Sequence, residues 1–304
     1  MLIRIIKNTP KIDFLAKRNI FYCISVFLLL TSVLSVGFKG LNFGIDFKGG
    51  VLLEIDFNKK INIEHVREEL TKINMKNTSI QALDNTDNIY LLKLDLDSEK
   101  NQKNLINLIK SSFEGKLSEN IDYRRAEFVG PTVSTELIKA GITAIVLAIL
   151  AMLIYIWFRF ELQFAVGAVV ALIHDTILTI GLFSATSLEF NLATVAAILL
   201  IIGYSMNDTV IVYDRVRENL KKFRKMEIIQ LLNKSINETL SRTINTTLTT
   251  ILALLALYIF GGNIIKDFSF AMIWGILIGT YSSILLATPL LLFLKVKRNT
   301  NNGE

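Results

Sequence analysis

Four ionisable side chains fall inside stretches of this 304-residue chain that are otherwise apolar: His174, Asp175, Asp208 and Arg242. At the centre of a membrane helix such a group costs about 2.5–3.5 kcal/mol on insertion scales, so each needs a proton, an ion pair or a buried hydrogen-bond network to justify it. Asp208 lies six residues before Asp214, roughly 9 Å inside the polar end of its stretch. Tyr204, four residues earlier, shares its helical face, and Asn207 adjoins it. Arg242 opens the next stretch, which runs antiparallel, so an encounter of Asp208 with Arg242 at one depth is geometrically reasonable. Asn245, Thr246, Thr249 and Ala253 continue from Arg242 at helical spacing, a small and polar stripe suited to a helix interface or a hydrated one. His174 and Asp175 are adjacent, hence about 100° apart around a helix, and cannot both face one partner. A proton relay there competes with a satisfied polar pair. The plain alternatives are that Arg242 snorkels to the headgroups and that Asp208 is a structural hydrogen-bond partner.

Other chemistry is excluded by composition. One cysteine, Cys23, permits no internal disulfide, and with only His65 and His174 no metal constellation can be assembled. The run Gly44-Ile45-Asp46-Phe47-Lys48-Gly49-Gly50 lacks the Gly-Lys-Ser/Thr ending of a phosphate loop and reads as a turn before a strand. No nucleophile is accompanied by a base. An enzyme is not expected, and neither is a cofactor or a metal.

The elements that hold these residues are legible from hydropathy. The chain is 52% hydrophobic, with mean hydropathy +0.47. Residues 20–38 and 140–158 are each 19 residues without a charge, and 268–294 is 27. At about 1.5 Å per residue the shorter ones already span a bilayer core. Residues 162–188, 190–213 and 243–262 add three more, giving six transmembrane helices. The first stretch exceeds a typical signal-peptide core and reads as an uncleaved anchor. Basic residues concentrate before helix 1, at Arg159, in a cytoplasmic loop 214–240 and in the tail 295–304, which predicts cytoplasmic termini.

That topology leaves residues 39–136 as one external domain between helix 1 (20–38, after an N-terminus 1–19) and helices 2–6 (137–294). Residues 51–57, 78–83, 89–96 and 121–129 read as strands, with helices after Asn62 and after Ser98. The order βαββαβ predicts an α+β ferredoxin-like domain in an otherwise α-helical membrane protein. The domain holds 14 basic and 16 acidic residues, and the rest of the chain 19 and 11. The net charge of +6 therefore reflects membrane orientation, and no nucleic-acid partner is expected. The basic run from Arg215 to Lys225 reads as a topology anchor at the lipid surface.

Several blocks together resemble a known family. They are Phe43 to Gly50, Phe128-Val129-Gly130-Pro131-Thr132-Val133-Ser134, His174-Asp175, Gly203-Tyr204-Ser205-Met206-Asn207-Asp208-Thr209-Val210, Tyr213 to Asn219, and Ser241-Arg242-Thr243. In order and topology they resemble the SecF family, the smaller membrane subunits of the bacterial SecD/SecF protein-export complex, within the RND-like superfamily. The resemblance implies a heterodimer with SecD at the SecYEG channel and its SecA motor, with YajC and YidC as further associates, in the inner membrane. It implies that proton flow drives external domains to pull a translocating preprotein outward, and it assigns the family's membrane carboxylate and arginine to Asp208 and Arg242. Ser134 stands where the family often has glycine, and Tyr213 where it has phenylalanine. Two competing readings are half of a proton-coupled efflux transporter, for which the external domain is small, and a non-conducting scaffold of the translocon.

Overall fold

The computed structural model describes residues 10–75, 78–83, 88–94, 102–114, 116–118, 120–294 and 296. The expected helix start at Ser98, the end of the strand 89–96 and most of the tail 295–304 lie outside them. The chain divides into two compact units, residues 43–142 and the remainder.

In the first unit the chain makes one helical turn, α2 (Ile45–Lys48), where the sequence suggested a plain turn. It then enters strand β1 (Gly50–Asp56). Helix α3 (Ile63–Lys72) follows, capped by the Asn62 side chain, which accepts from the Glu64 amide. Strands β2 (Ser79–Ala82) and β3 (Ile89–Leu94), helix α4 (Gln102–Phe113) and strand β4 (Asp122–Val129) complete it. The sheet order is β2-β3-β1-β4 and every pairing is antiparallel.

Alternation along β1 places Val51, Leu53 and Ile55 on one face. There they pack with Leu92 and Leu94 of β3, Val66 and Leu70 of α3, and Ile109 and Phe113 of α4, so both helices cover the same side of the sheet. Gly50 has φ +145°, and a Cβ there would come within 2.5 Å of the Leu94 carbonyl oxygen, so the start of β1 admits only glycine. Glu69 of α3, buried to 7% exposure, accepts from Lys72 at 2.6 Å and from Lys116 and Ser112, both at 3.4 Å. The Lys72 hydrogen bond holds its carboxyl below the usual range.

The second unit contains helices long and apolar enough to cross a membrane, six in all among the described residues when α5, which begins in the first unit, is counted. They are α1 (Arg18–Lys39), α5 (Pro131–Arg159), α6 (Leu162–Thr186), α7 (Leu192–Lys222), α8 (Ile228–Phe260), and α9 (Asn263–Ser282) continued by α10 (Thr288–Phe293). Pro131 opens α5, where a missing N–H costs nothing. Ser134 lies in the first turn of α5. Helices α6, α7 and α9 are largely buried, whereas α1, α5 and α8 are largely exposed.

Small residues permit the close crossings. A Cβ on Gly181 of α6 would fall 2.2 Å from the Ser32 Cβ of α1, and one on Gly279 of α9 would fall 2.9 Å from the Ser205 Cβ of α7. Between α9 and α10 the chain makes a π turn, Ser283–Ala287. Pro289 brings no N–H to the ladder there, and the Thr288 hydroxyl donates to the Ser283 carbonyl at 2.9 Å.

The expected loop 214–240 is mostly helix. Both α7 and α8 run past their apolar parts, and only 223–227 separates them. Polar side chains replace the lipid as the reason for pairing. Asn219 donates to Ser235 at 2.9 Å and to Glu238 at 2.8 Å, and Arg215 donates to Glu238 at 2.6 Å. Asn237 of α8 also grips the backbone of Ile12, accepting from its N–H at 3.0 Å and donating to its carbonyl at 2.8 Å.

Candidate functional site: two buried carboxyls

Apolar residues dominate α6, α7 and α9, so the few hydroxyls and charges among them collect where the three helices meet. Asp175, 1% exposed, is fully engaged. Its Oδ2 accepts from Ser205 of α7 and from Ser282 of α9, both at 2.7 Å. Its Oδ1 lies 3.0 Å from His174 Nδ1. Adjacent side chains thus turn toward each other, and Asp175 is the one of the two that hydrogen-bonds to the neighbouring helices. The His174 ring stacks on Tyr281, and its Nε2 is buried without a partner among the described residues. Tyr281 in turn donates to the Phe21 carbonyl of α1 at 2.9 Å.

Asp208 is equally buried, at 1% exposure. Neither of its carboxyl oxygens has a hydrogen-bond partner among the described residues. Thr280 of α9 and Arg242 of α8 lie within electrostatic reach of it, but neither makes a hydrogen bond of good geometry to it. The Thr280 hydroxyl is paired with Thr247 of α8 at 3.0 Å. Thr209 is bound to Ser283 at 2.8 Å, at the π turn. An ionised carboxyl without donors or a cation is costly in such surroundings. A proton on the carboxyl or a closer guanidinium would relieve that cost.

The expected Asp208 to Arg242 encounter is therefore a neighbourhood and not an ion pair. Arg242 is exposed and lines a groove at the polar ends of α7 and α8. Tyr204 donates to Thr250 of α8 at 3.3 Å, linking α7 to α8 beside the site. The remaining members of the expected polar face do not gather there. Asn207 is exposed, Asn245 is half-buried, and Thr246 turns back onto its own helix, donating to the Arg242 carbonyl at 3.1 Å.

Ser205, Thr209, Thr280, Ser282 and Ser283 were not foreseen as site residues. Single hydroxyls in apolar stretches carry little signal, although the pair Ser282-Ser283 followed by Thr288-Pro289 marks a break in an otherwise uniform helix. Among the described residues no group of three or more His, Cys, Asp or Glu could hold a metal ion.

Six membrane-length helices enclosing two buried carboxyls, with a small antiparallel sheet unit inserted after the first, define a multi-pass membrane protein built around intramembrane polar groups. Residues 109–297 match the family described as protein export membrane protein SecD/SecF, C-terminal, and residues 34–61 match the SecD/SecF GG motif, which spans the Gly49-Gly50 pair. The chain belongs to the SecD/SecF family. It is 42% identical over 289 residues to the protein translocase subunit SecF of Rickettsia rickettsii, covering 95% of this chain and 94% of that one. The same identity holds against the SecF of Rickettsia bellii, with 95% of each chain covered.

Among solved structures it resembles SecDF of Thermus thermophilus, a translocon-associated membrane protein. The TM-score is 0.79 and the identity 33%, over 94% of this chain and 39% of that one. A second SecDF structure, in a super-membrane-facing form, gives a TM-score of 0.70 at 34% identity with the same coverage. The chain thus spans about two fifths of the SecDF chains it matches.

Proposed function

We propose that the chain is the SecF-type accessory subunit of bacterial Sec protein export, and that it uses the proton-motive force to promote late steps of preprotein translocation. Identity to SecF proteins across nearly the full length supports the first half. The observation that carries the second is the Asp208 carboxyl, buried and unpartnered with Arg242 within reach. In the cycle, Asp208 exchanges a proton, Arg242 engages the carboxylate when it is bare, and the movement of α8 against α7 is passed to the external domain. Moving one charge through 100 mV supplies about 2.3 kcal/mol, enough for a few protons to shift a small domain.

In this reading SecD supplies the second six-helix half and, with it, further groups for the proton path. SecYEG is the channel served, with YajC and YidC as associates. The membrane is the bacterial inner membrane, both termini are cytoplasmic, and the sheet unit is a periplasmic domain. The β2-β3-β1-β4 order with both helices on one face supports a ferredoxin-like fold for that domain. The test is export into whole cells or inverted vesicles with Asp208→Asn and Arg242→Ala, each with the gradient intact and collapsed. The reading predicts that both variants lose the gradient-dependent increment of export. Normal increments in both would support the scaffold instead.

A further inference from the structure

A groove of about 680 Å³ opens where the polar ends of α7 and α8 meet the C-terminus of α5. Five cations line it against three carboxylates, and the carboxylates engage only two of the five. Asp214 takes Arg159 at 3.1 Å, while Glu218 and Glu238 both take Arg215 at 2.6 Å. Arg217, Lys221 and Arg242 form no ion pair among the described residues.

Arg217 is held in place even so. It donates to the Arg159 carbonyl at 3.5 Å, and its guanidinium lies 6.0 Å from the Phe160 ring centre. Arg217 and Lys221 are four apart on α7, hence on one face, and Arg242 lines the same groove from α8. The last turn of α5, whose Arg159 lines the groove, also exposes two large aromatic side chains, Trp157 at 59% and Phe158 at 87%. Aromatic residues at that position mark the headgroup level of a bilayer. A soluble anion would use the cations and leave the aromatic face idle, whereas a phospholipid uses both.

We propose that this groove is a binding site for the phosphate headgroup of an acidic phospholipid. Arg217 and Lys221 hold the phosphate from α7 and Arg242 from α8, and the acyl chains lie along Trp157 and Phe158. Arg242 is then shared, so a seated headgroup competes for the guanidinium that the proton cycle uses. Only that last consequence rests on the proposed function.

The full-length chain in a neutral detergent, titrated with phosphatidylglycerol or phosphatidylcholine and read by native mass spectrometry, tests the site. Wild type is expected to prefer phosphatidylglycerol. The pair Arg217→Gln and Lys221→Gln should weaken its binding about 25-fold, at about fivefold per cation near a surface. Arg217→Lys should stay within about twofold of wild type, and circular dichroism verifies helix content. If the double variant does not fold, Arg217→Gln alone is read against Arg217→Lys. Equal loss in Lys222→Gln with Lys225→Gln, outside the groove, would reduce the site to a diffuse basic collar and overturn the proposal. Displacement of the lipid by an equal concentration of inorganic phosphate would overturn it in favour of a soluble-anion site. An unchanged affinity in the double variant would overturn it outright.

Discussion

Asp175 and Asp208 are buried to the same extent, each 1% exposed, and lie on helices packed in one bundle. Their surroundings are opposite. Asp175 is held by two serine hydroxyls from two other helices and by its own neighbour His174. Asp208 receives no hydrogen bond of good geometry among the described residues; Thr280 and Arg242 lie within electrostatic reach of it, and Arg242 is on the exposed face of α8. Burial alone therefore does not identify a working carboxyl. Asp175 already has its hydrogen bonds and cross-links α6, α7 and α9. Asp208 has no hydrogen bond of good geometry among the described residues.

The largest separation is expected from neutral isosteres. Asp208→Asn should abolish the gradient-dependent part of export, a loss of tenfold or more, with helix packing intact. Asp175→Asn, which keeps an acceptor oxygen for the serines, should retain most of it. Export assays with matched expression levels compare the two, and equal losses would break the contrast.

Truncation reverses the order when stability is read in place of activity. Asp175→Ala takes the acceptor from the Ser205 hydroxyl, while Ser282 keeps the Gly279 carbonyl at 3.1 Å, and should cost about 1–3 kcal/mol. Asp208→Ala, which removes no hydrogen bond, should cost clearly less, as judged by thermal unfolding in detergent. Steric support for the same bundle is tested by Gly181→Ala, whose new Cβ would sit 2.8 Å from the Ser32 Cα. Forcing α1 off α6 should cost about 1–3 kcal/mol.

The smallest effect concerns Glu69, a buried carboxyl of the first unit that is served by lysines. Its depressed folded pKa means that its contribution is present at neutral pH and is lost as pH falls through that value. Glu69→Gln should flatten the acid dependence of α3 protection in hydrogen exchange.

Much of this architecture can be read from the residues. Uninterrupted apolar runs locate the helices because a bilayer leaves no other solution, and alternation in Val51 to Phe57 locates the central strand. Polar continuations of the helices are less visible. Charge at Arg215 to Lys225 suggests a loop, yet Asn219, Ser235 and Glu238 stitch α7 to α8 beyond the apolar part. The titratable members of the site stand out because charge is rare among apolar neighbours. Their contrast does not, since it depends on Ser205 and Ser282, which meet only when three helices pack.

Infrared difference spectroscopy of the carboxyl C=O stretch across a pH jump, on the full chain with its SecD partner in membranes, tests the contrast most directly. The account predicts a protonation band that vanishes in Asp208→Asn and persists in Asp175→Asn. A band that persists in Asp208→Asn and vanishes in Asp175→Asn would contradict it.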